Sequence, residues 1–469
     1  MSSKRVIIIG GGPGGYVAAI RAAQLGAKVI LIEKNRIGGT CLNRGCIPTK
    51  ALLSDAKLLR SLRHSPVFQS ILKEGFEPLE AMMDRKAKVV QEMVKGVELL
   101  LESQRVAVKH GEAALLDVDT VALLCPGKEQ ETFEGDAIIL APGSKSKALP
   151  NISPDEESIL SSDGILELKR IPRDLVVVGG GYIGVEFASL FHMLGSKVTI
   201  VEVLDEMMPG LEPEMVRNLR RVLEREGVRI LTRSRVEEVH PGDGGLRLTL
   251  RTPLGIEEAF AEKLLLAVGR APNLDLSFSK AGVEISPAGI RVNKRMETTT
   301  PHVYAVGDAV GGLLLAHVAQ EQGVIASENA MGINREMEDG PIPLCIFSYP
   351  EIASIGLTEK EARAKGDVKI GRFPFRSSSK ALISGETDGL VKVVASREAD
   401  AILGVHIIGP EASTLISTVS SFLYQRGGTK DFSHFIQAHP TLPEAMKEAV
   451  LDVDGVAIHL PRPLVGHKK

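Results

Sequence analysis

The chain has 469 residues, 44% hydrophobic and 25% charged, with 56 basic against 59 acidic side chains and a formal net charge of −3. Length alone calls for about three domains, and the composition is that of a globular protein with ample material for cores. Near-neutral charge and the lack of Trp argue against a nucleic-acid partner, and no apolar run approaches the ~18 residues of a membrane span.

The opening Met1-Ser2-Ser3-Lys4-Arg5 runs straight into a strand pattern, so no signal peptide is expected. Four cysteines are too few for a secreted disulfide scaffold. That points to a cytoplasmic setting, where a close pair is catalytic or metal-binding. Arg5 to Ile9 is a β-branched run without polar alternation, as in a central parallel strand. Gly10, Gly12 and Gly15 follow in G-x-G-x-x-G spacing, then a helix over Tyr16 to Leu25, and a strand from Lys28 that ends at Glu33. In this device the first glycine makes the turn, the second admits a pyrophosphate, and the third packs helix on strand. The terminal acid accepts a bond from a ribose hydroxyl.

Just beyond, between Gly38-Gly39 and Ile47-Pro48-Thr49-Lys50, stand Cys41 and Cys46, five positions apart. A reversible disulfide there is a two-electron store that a nearby nucleotide cofactor can fill or empty. Two buried thiols or half a metal site are the other readings, and no second Cys/His cluster at zinc spacing accompanies the pair. Ile47-Pro48 suits the opening of a helix through Leu52. Cys46 then lies near a positive helix end that favours a thiolate, with Lys50 one turn along the same face.

Residues 51–100 have helical spacing, and 106–140 hold short strands around Gly111 and Pro126-Gly127, with Cys125 in a hairpin. The strand Ala137-Ile138-Ile139-Leu140 leads to Ala141-Pro142-Gly143-Ser144. Gly179, Gly181 and Gly184 then repeat the fingerprint, with a helix through Leu194 and a strand from Lys197 ending at Glu202. The offsets agree, 179 − 10 = 169 and 202 − 33 = 169, so the chain carries two dinucleotide units. A carboxylate at Glu202 welcomes the free 2′-hydroxyl of NAD and repels the 2′-phosphate of NADP, and the residues after it, Asp205 and Glu206, are acidic rather than arginine. A second strand, Leu264 to Ala267, ends at Gly269. The stretch 144–155 and the Ala271-Pro272-Asn273 region are the expected domain crossings.

With these motifs the chain resembles the FAD-dependent pyridine nucleotide–disulfide oxidoreductases over essentially its whole length. The likeness is strongest to the members that oxidise dihydrolipoamide. The resemblance implies an α/β fold of two Rossmann-like dinucleotide-binding domains plus a C-terminal α+β dimerisation domain. The expected segments are 1–145 for FAD, 146–270 for NAD, 271–338 for a further FAD part and 339–469 for the dimer. It gives FAD the residues Gly10, Gly12, Gly15, Glu33, Lys34, Gly39, Thr40, Lys50, Gly111, Gly143 and Ser144. In Thr298 to Asp308 it gives Asp308 the ribityl chain, and it sets Leu314, Leu315, Ala316 and His317 at a helix start facing the flavin's pyrimidine edge. NAD is given Gly179, Gly181, Tyr182, Ile183, Gly184, Glu186, Glu202 and Gly269. One departure is Pro142, where the family usually has Thr; proline removes a backbone donor.

By the same resemblance Cys46 is the flavin-facing sulfur, Cys41 exchanges with substrate, and Lys50 pairs with Glu186. The C-terminal His439-Pro440-Thr441-Leu442 with Glu444 carries the base. A histidine in a proline-fixed turn, with a carboxylate five residues on, can be held in one tautomer with its other nitrogen open to a thiol proton. In the family that base reaches the cysteines from the other subunit of a homodimer, with Ser348-Tyr349-Pro350-Glu351 near the start of the dimer-forming part. The implied partner is the lipoyl group of a 2-oxo acid dehydrogenase complex or glycine cleavage system; no lipoyl-carrying domain precedes the first fingerprint, so the arm is expected to come from elsewhere. Glutathione-reducing members prefer NADP, and mercury-reducing members need a further thiol pair near the C-terminus. None follows Cys345. A non-catalytic flavoprotein subunit is the reading from another class.

Overall fold

A computed structural model describes residues 3–65, 67–68, 77–127 and 129–461. The end of the expected dimer segment, 462–469, and part of the 51–100 stretch lie outside these. The chain divides into two compact units, Met1–Ile171 with Leu265–Asp339, and Pro172–Leu264 with Gly340–Lys469.

In the first unit five strands run parallel in the order Val303–Ala305, Ala137–Leu140, Arg5–Ile9, Lys28–Glu33, Ala107–His110. The central strand reads Val-Ile-Ile-Ile because both of its faces are covered; Val6, Ile7 and Ile8 are fully buried. The first helix spans Pro13–Gln24 and so begins three residues before the expected Tyr16. Proline fits the first helical position, where its missing N–H goes unused. This helix packs on Ala316–Ala330, where a Cβ on Gly323 would lie 2.4 Å from the Gly14 carbonyl oxygen. Val90, Val94, Val97 and Leu101 of the helix Leu79–Ser103 join the same core.

Residues 146–171 and 265–270, expected in the second nucleotide domain, fall in this first unit. Strand Ser144–Ser146 pairs antiparallel with Arg270–Pro272, so both expected crossings are tied into one ribbon.

In the second unit Asp174–Val178, Lys197–Val201 and Arg229–Leu231 run parallel, with the helix Tyr182–Leu194 between the first two. Pairing register repeats with the sequence: Ile9 faces Ile32 and Val178 faces Val201, and 178 − 9 = 201 − 32 = 169. The expected C-terminal domain shares this unit. It is an antiparallel sheet in the order Leu344–Ile346, Glu351–Gly356, Ile402–Gly409, Leu390–Ser396, Val368–Pro374. Helices Ala412–Tyr424 and Pro443–Asp452 share a buried core with the sheet.

A buried charge cluster joins the two halves of this unit. Lys392, 2% exposed, places Nζ 2.8 Å from Glu212, 3.0 Å from Glu214 and 2.7 Å from Glu359. Arg372 adds a 2.9 Å contact to Glu214. Burial opposes every one of these charges. Even so, contact with Lys392, and at Glu214 first with Arg372, holds the three carboxyls below their ordinary 4.5, and the carboxylates hold Lys392 above 10.5. The carboxylate share of stability is therefore present above about pH 4.5 and lost as pH falls through the lowered values; the lysine share is present below 10.5 and lost above it. Lys392→Met leaves buried Glu212 without its cation beside Glu214 and Glu359, which keep Arg372, and is expected to cost about 3–5 kcal/mol. Urea unfolding checks this, and the deficit should be smaller at about pH 5 than at about pH 8, where repulsion is full.

Candidate redox-active site

Gly38 and Gly39 turn the chain through left-handed φ of +94° and +54°. Gly38 N–H donates to the Gly11 carbonyl at 2.8 Å, and a Cβ on Gly39 would lie 2.7 Å from Gly12 Cα. The cysteine stretch therefore rests directly on the first fingerprint loop. Cys41 sits in a short helix, Gly39–Arg44, and Cys46 opens the helix Cys46–His64, longer than the expected run through Leu52. Asn43, between the cysteines, donates through Nδ2 to the Ile37 and Gly39 carbonyls at 3.0 and 2.9 Å and fixes the loop. Arg44 lies 3.5 Å from Asp163.

Both cysteines are half-buried and no disulfide joins them. The hydrogen bond between the two sulfur groups pushes the Cys41 thiol far up, and burial and the charge of Cys46 add to this. Lys50 and the Cys46 backbone N–H act in the opposite direction and lose. Cys46 stands at a helix N-terminus, which favours an anion there. The pair thus holds its last proton on Cys41, because removing it would set two thiolates side by side. Oxidation or exchange at this pair needs a proton acceptor.

The other expected flavin residues in this unit follow the carboxyl ends of the five parallel strands, where α/β sheets bind ligands. After Ile9, Gly10 adopts φ +101°, and its Cβ would lie 2.2 Å from the Ala141 carbonyl oxygen; a Cβ on Gly15 would lie 1.8 Å from that of Gly10. Gly12 is different: its nearest neighbour would be 4.0 Å away, which leaves bare backbone at the helix start. Glu33, 7% exposed, accepts from Gly11 N–H and Asn35 N–H, both at 2.7 Å. Lys34 follows it and is exposed, Thr40 lies one residue before Cys41, and Gly111 N–H donates to the Glu33 carbonyl at 3.1 Å. Gly143 turns through φ +71°, and Pro142, which has no N–H to give, is held through its carbonyl by Asn273 Nδ2 at 2.9 Å. Ser144 Oγ donates to Asp308 Oδ2. Gly307 N–H donates to Gln322 Oε1 at 2.7 Å, which fixes the turn carrying Asp308. The segment Leu314 to His317 opens the helix Ala316–Ala330, with Leu315 at its cap.

The second fingerprint repeats this locally. Gly179 has φ +107°, a Cβ on Gly184 would lie 2.0 Å from its carbonyl oxygen, and Gly181 faces open space at the start of the helix that carries Tyr182 and Ile183. Glu202, 6% exposed, accepts from Gly180 N–H at 2.6 Å and Leu204 N–H at 2.8 Å. Arg233 comes from outside the acidic stretch to pair with Asp205 at 2.7 Å, a cation the local sequence does not reveal. Glu186 is buried on that helix and accepts from Phe347 N–H at 3.0 Å. Gly269, with φ +101°, belongs to the first unit.

His439 is exposed, and its Nδ1 lies 2.9 Å from Glu444 Oε1. Glu444 also accepts from Thr441 N–H at 2.8 Å and sits in the first turn of Pro443–Asp452. Burial works against its charge, but the Thr441 amide and the His439 ring together hold its carboxyl below the usual range. The arrangement fixes the ring and leaves Nε2 to take a proton.

Residues 4–323 match the family described as pyridine nucleotide-disulphide oxidoreductase, and 342–450 match that family's dimerisation domain. The chain belongs to the pyridine nucleotide-disulphide oxidoreductase family. It is 42% identical over 462 residues to a dihydrolipoyl dehydrogenase of Bacillus subtilis (strain 168), covering 96% of this chain and 99% of the relative. A mitochondrial dihydrolipoyl dehydrogenase of Pisum sativum is 38% identical, covering 97% and 92%. LpdA of Mycobacterium tuberculosis has a similar solved structure, with a TM-score of 0.88 at 26% identity over 95% of this chain and 99% of that one.

For a pyridine nucleotide-disulphide oxidoreductase, the carboxyl edge of the first unit fits FAD on its own geometry. Gly12 leaves a bare cradle that a Cβ would fill, Asp308 and Glu33 offer carboxylate oxygens, and the Ala316 helix offers its N-terminus. Asn43, Gln322 and Arg233 belong to no sequence motif, because each acts through a partner distant in sequence or through a carbonyl. Among the described residues, Glu212, Glu214 and Glu359 are the one cluster close enough for an ion, and Lys392 already sits on them. No described helix is long and apolar enough to cross a membrane.

Proposed function

We propose that this chain is a homodimeric dihydrolipoyl dehydrogenase of the cytoplasm. It would oxidise the lipoyl dithiol of a 2-oxo acid dehydrogenase complex or glycine cleavage system and reduce NAD+ to NADH. The observation that carries this reading is the hydrogen-bonded Cys41 and Cys46 pair resting on a dinucleotide fingerprint loop. Full-length likeness to relatives named dihydrolipoyl dehydrogenase supports it. His439 Nε2 takes a proton from the substrate dithiol, and the thiolate attacks Cys41 Sγ, breaking the Cys41–Cys46 bond. The second substrate thiol then attacks the substrate sulfur bonded to Cys41 and breaks that bond; its proton passes to the departing Cys41 sulfur, lipoamide is released, and Cys46 is left as thiolate. Glu444 holds His439 in one orientation, and Lys50 puts a cation beside the sulfurs. When bound, FAD supplies the two-electron relay from the dithiol to NAD+. Glu202 selects NAD+ at its ribose, and Glu186 lines the second nucleotide unit.

Steady-state rates with dihydrolipoamide, glutathione disulfide and Hg(II), each with NAD(H) and NADP(H), test the reading. Dihydrolipoamide with NAD+ is expected to exceed every other pairing by about a hundredfold or more in kcat/KM. A faster reaction of NADPH with glutathione disulfide would replace it by another disulfide reductase, and no turnover at all would leave a non-catalytic flavoprotein.

A further inference from the structure

Arg270 has no assigned role, yet its guanidinium forks onto one residue of the flavin edge. Nε donates to Ser144 Oγ at 2.8 Å and Nη2 to the Ser144 carbonyl at 2.8 Å, while Nη1 reaches Ser146 Oγ at 3.4 Å. Ser144 is buried and in turn donates to Asp308 Oδ2. Donor chemistry fixes the direction of this chain. Arginine can only donate, and a serine hydroxyl has one proton to give. With Arg270 occupying a lone pair of Oγ, the hydroxyl proton is turned to Asp308. That bond pins one carboxylate oxygen and so sets the plane of the Asp308 carboxylate, whose remaining lone pairs can still accept. The ribbon of Ser144–Ser146 with Arg270–Pro272 keeps Arg270 and the two serines in register, since Pro272 pairs with Ser144 and Arg270 with Ser146.

We propose that Arg270 is a positioning residue for FAD: acting through Ser144, it aims the Asp308 carboxylate at the flavin's ribityl chain. This rests on the reading that Asp308 binds that chain. Arg270 itself touches no cofactor in this scheme. It fixes a two-step hydrogen-bond path whose last member does, and a Lys in its place keeps a donor for Ser144 but loses the planar fork that holds Oγ, the carbonyl and Ser146 in one fixed geometry.

The test uses the full-length protein, with FAD affinity read by the fluorescence of released flavin and the environment of bound flavin read by visible circular dichroism. Arg270→Met and Ser144→Ala are each expected to weaken FAD about tenfold. The double variant should weaken it little beyond the worse single one, since both cut one path. Arg270→Lys should recover part of the affinity, and Asp308→Asn should weaken FAD at least as much as Arg270→Met. Wild-type affinity and dichroism in Arg270→Met, or fully additive losses with Ser144→Ala, would overturn the role of Arg270 alone. Unchanged FAD affinity in Asp308→Asn would overturn the reading of Asp308 itself and the role of Arg270 with it. Ser144→Ala removes a single hydroxyl, so it keeps the test open should Arg270→Met fail to fold.

Discussion

Cys46→Ser protein is expected to lose dihydrolipoamide oxidation by about 10⁴-fold or more, and Cys41→Ser equally, while NADH oxidation by a small dye survives in both. Serine cannot close a disulfide, so neither variant can accept electrons from a dithiol, whereas the dye reaction bypasses the sulfurs. The two losses should differ in a second measurement. In the reduced wild type Cys46 opens a helix, where an anion is favoured, and Cys41 keeps the proton it shares with Cys46. Serine at 46 takes away the adjacent negative charge and leaves a neutral acceptor weaker than a thiolate, so both sulfur-borne causes that push Cys41 up diminish. The remaining Cys41 should then alkylate with iodoacetamide faster at neutral pH than it does in the reduced wild type, by mass spectrometry. Equal loss of dithiol and dye activity in either variant would mean that the cysteines hold the fold rather than the electrons.

The parallel strands and the two glycine turns that follow them were legible in the chain. Their signals are local: β-branched runs, a glycine triplet and an acid at fixed spacing, all recurring at one offset. Position was legible, but not every contact. Glu33 and Glu202 were expected to meet a ribose, yet each also ties down its own loop by accepting from the amides of Gly11 and Asn35, or Gly180 and Leu204. Each carboxylate oxygen can accept more than one bond, so the two jobs are compatible.

What stayed hidden is long-range. Lys392 reads as a surface residue in sequence, but it is buried because Glu212, Glu214 and Glu359 converge on it from distant segments. Arg270 reads as the residue after an NAD-side glycine, and only strand pairing brings it to Ser144. The two compact units are also made of separated stretches of chain. Contiguous segments are the natural unit of a sequence, whereas the strand Val303–Ala305 completes a sheet begun at Arg5.

His439→Gln is expected to lower the dithiol half-reaction by about 10²–10⁴-fold and leave the NADH–dye rate nearly unchanged, because the base acts only where a thiol gives up its proton. The proton it takes is the substrate dithiol's, and without a fixed imidazole only the small fraction of dithiol already ionised at neutral pH can attack Cys41. Glu444→Gln should cost less than His439→Gln, and the double variant no more than His439→Gln alone, since Glu444 works through the ring it orients at 2.9 Å. Co-expression of His439→Gln with Cys46→Ser chains tests where the base comes from. If His439 serves the cysteines of the other subunit, a mixed dimer holds one complete site, with its cysteines from the first chain and its histidine from the second. Random pairing makes half of all dimers mixed, so activity should recover to about a quarter of wild type from two nearly inactive parents. If each histidine serves its own chain, every site in the mixed dimer lacks either the thiol pair or the base, and nothing is recovered.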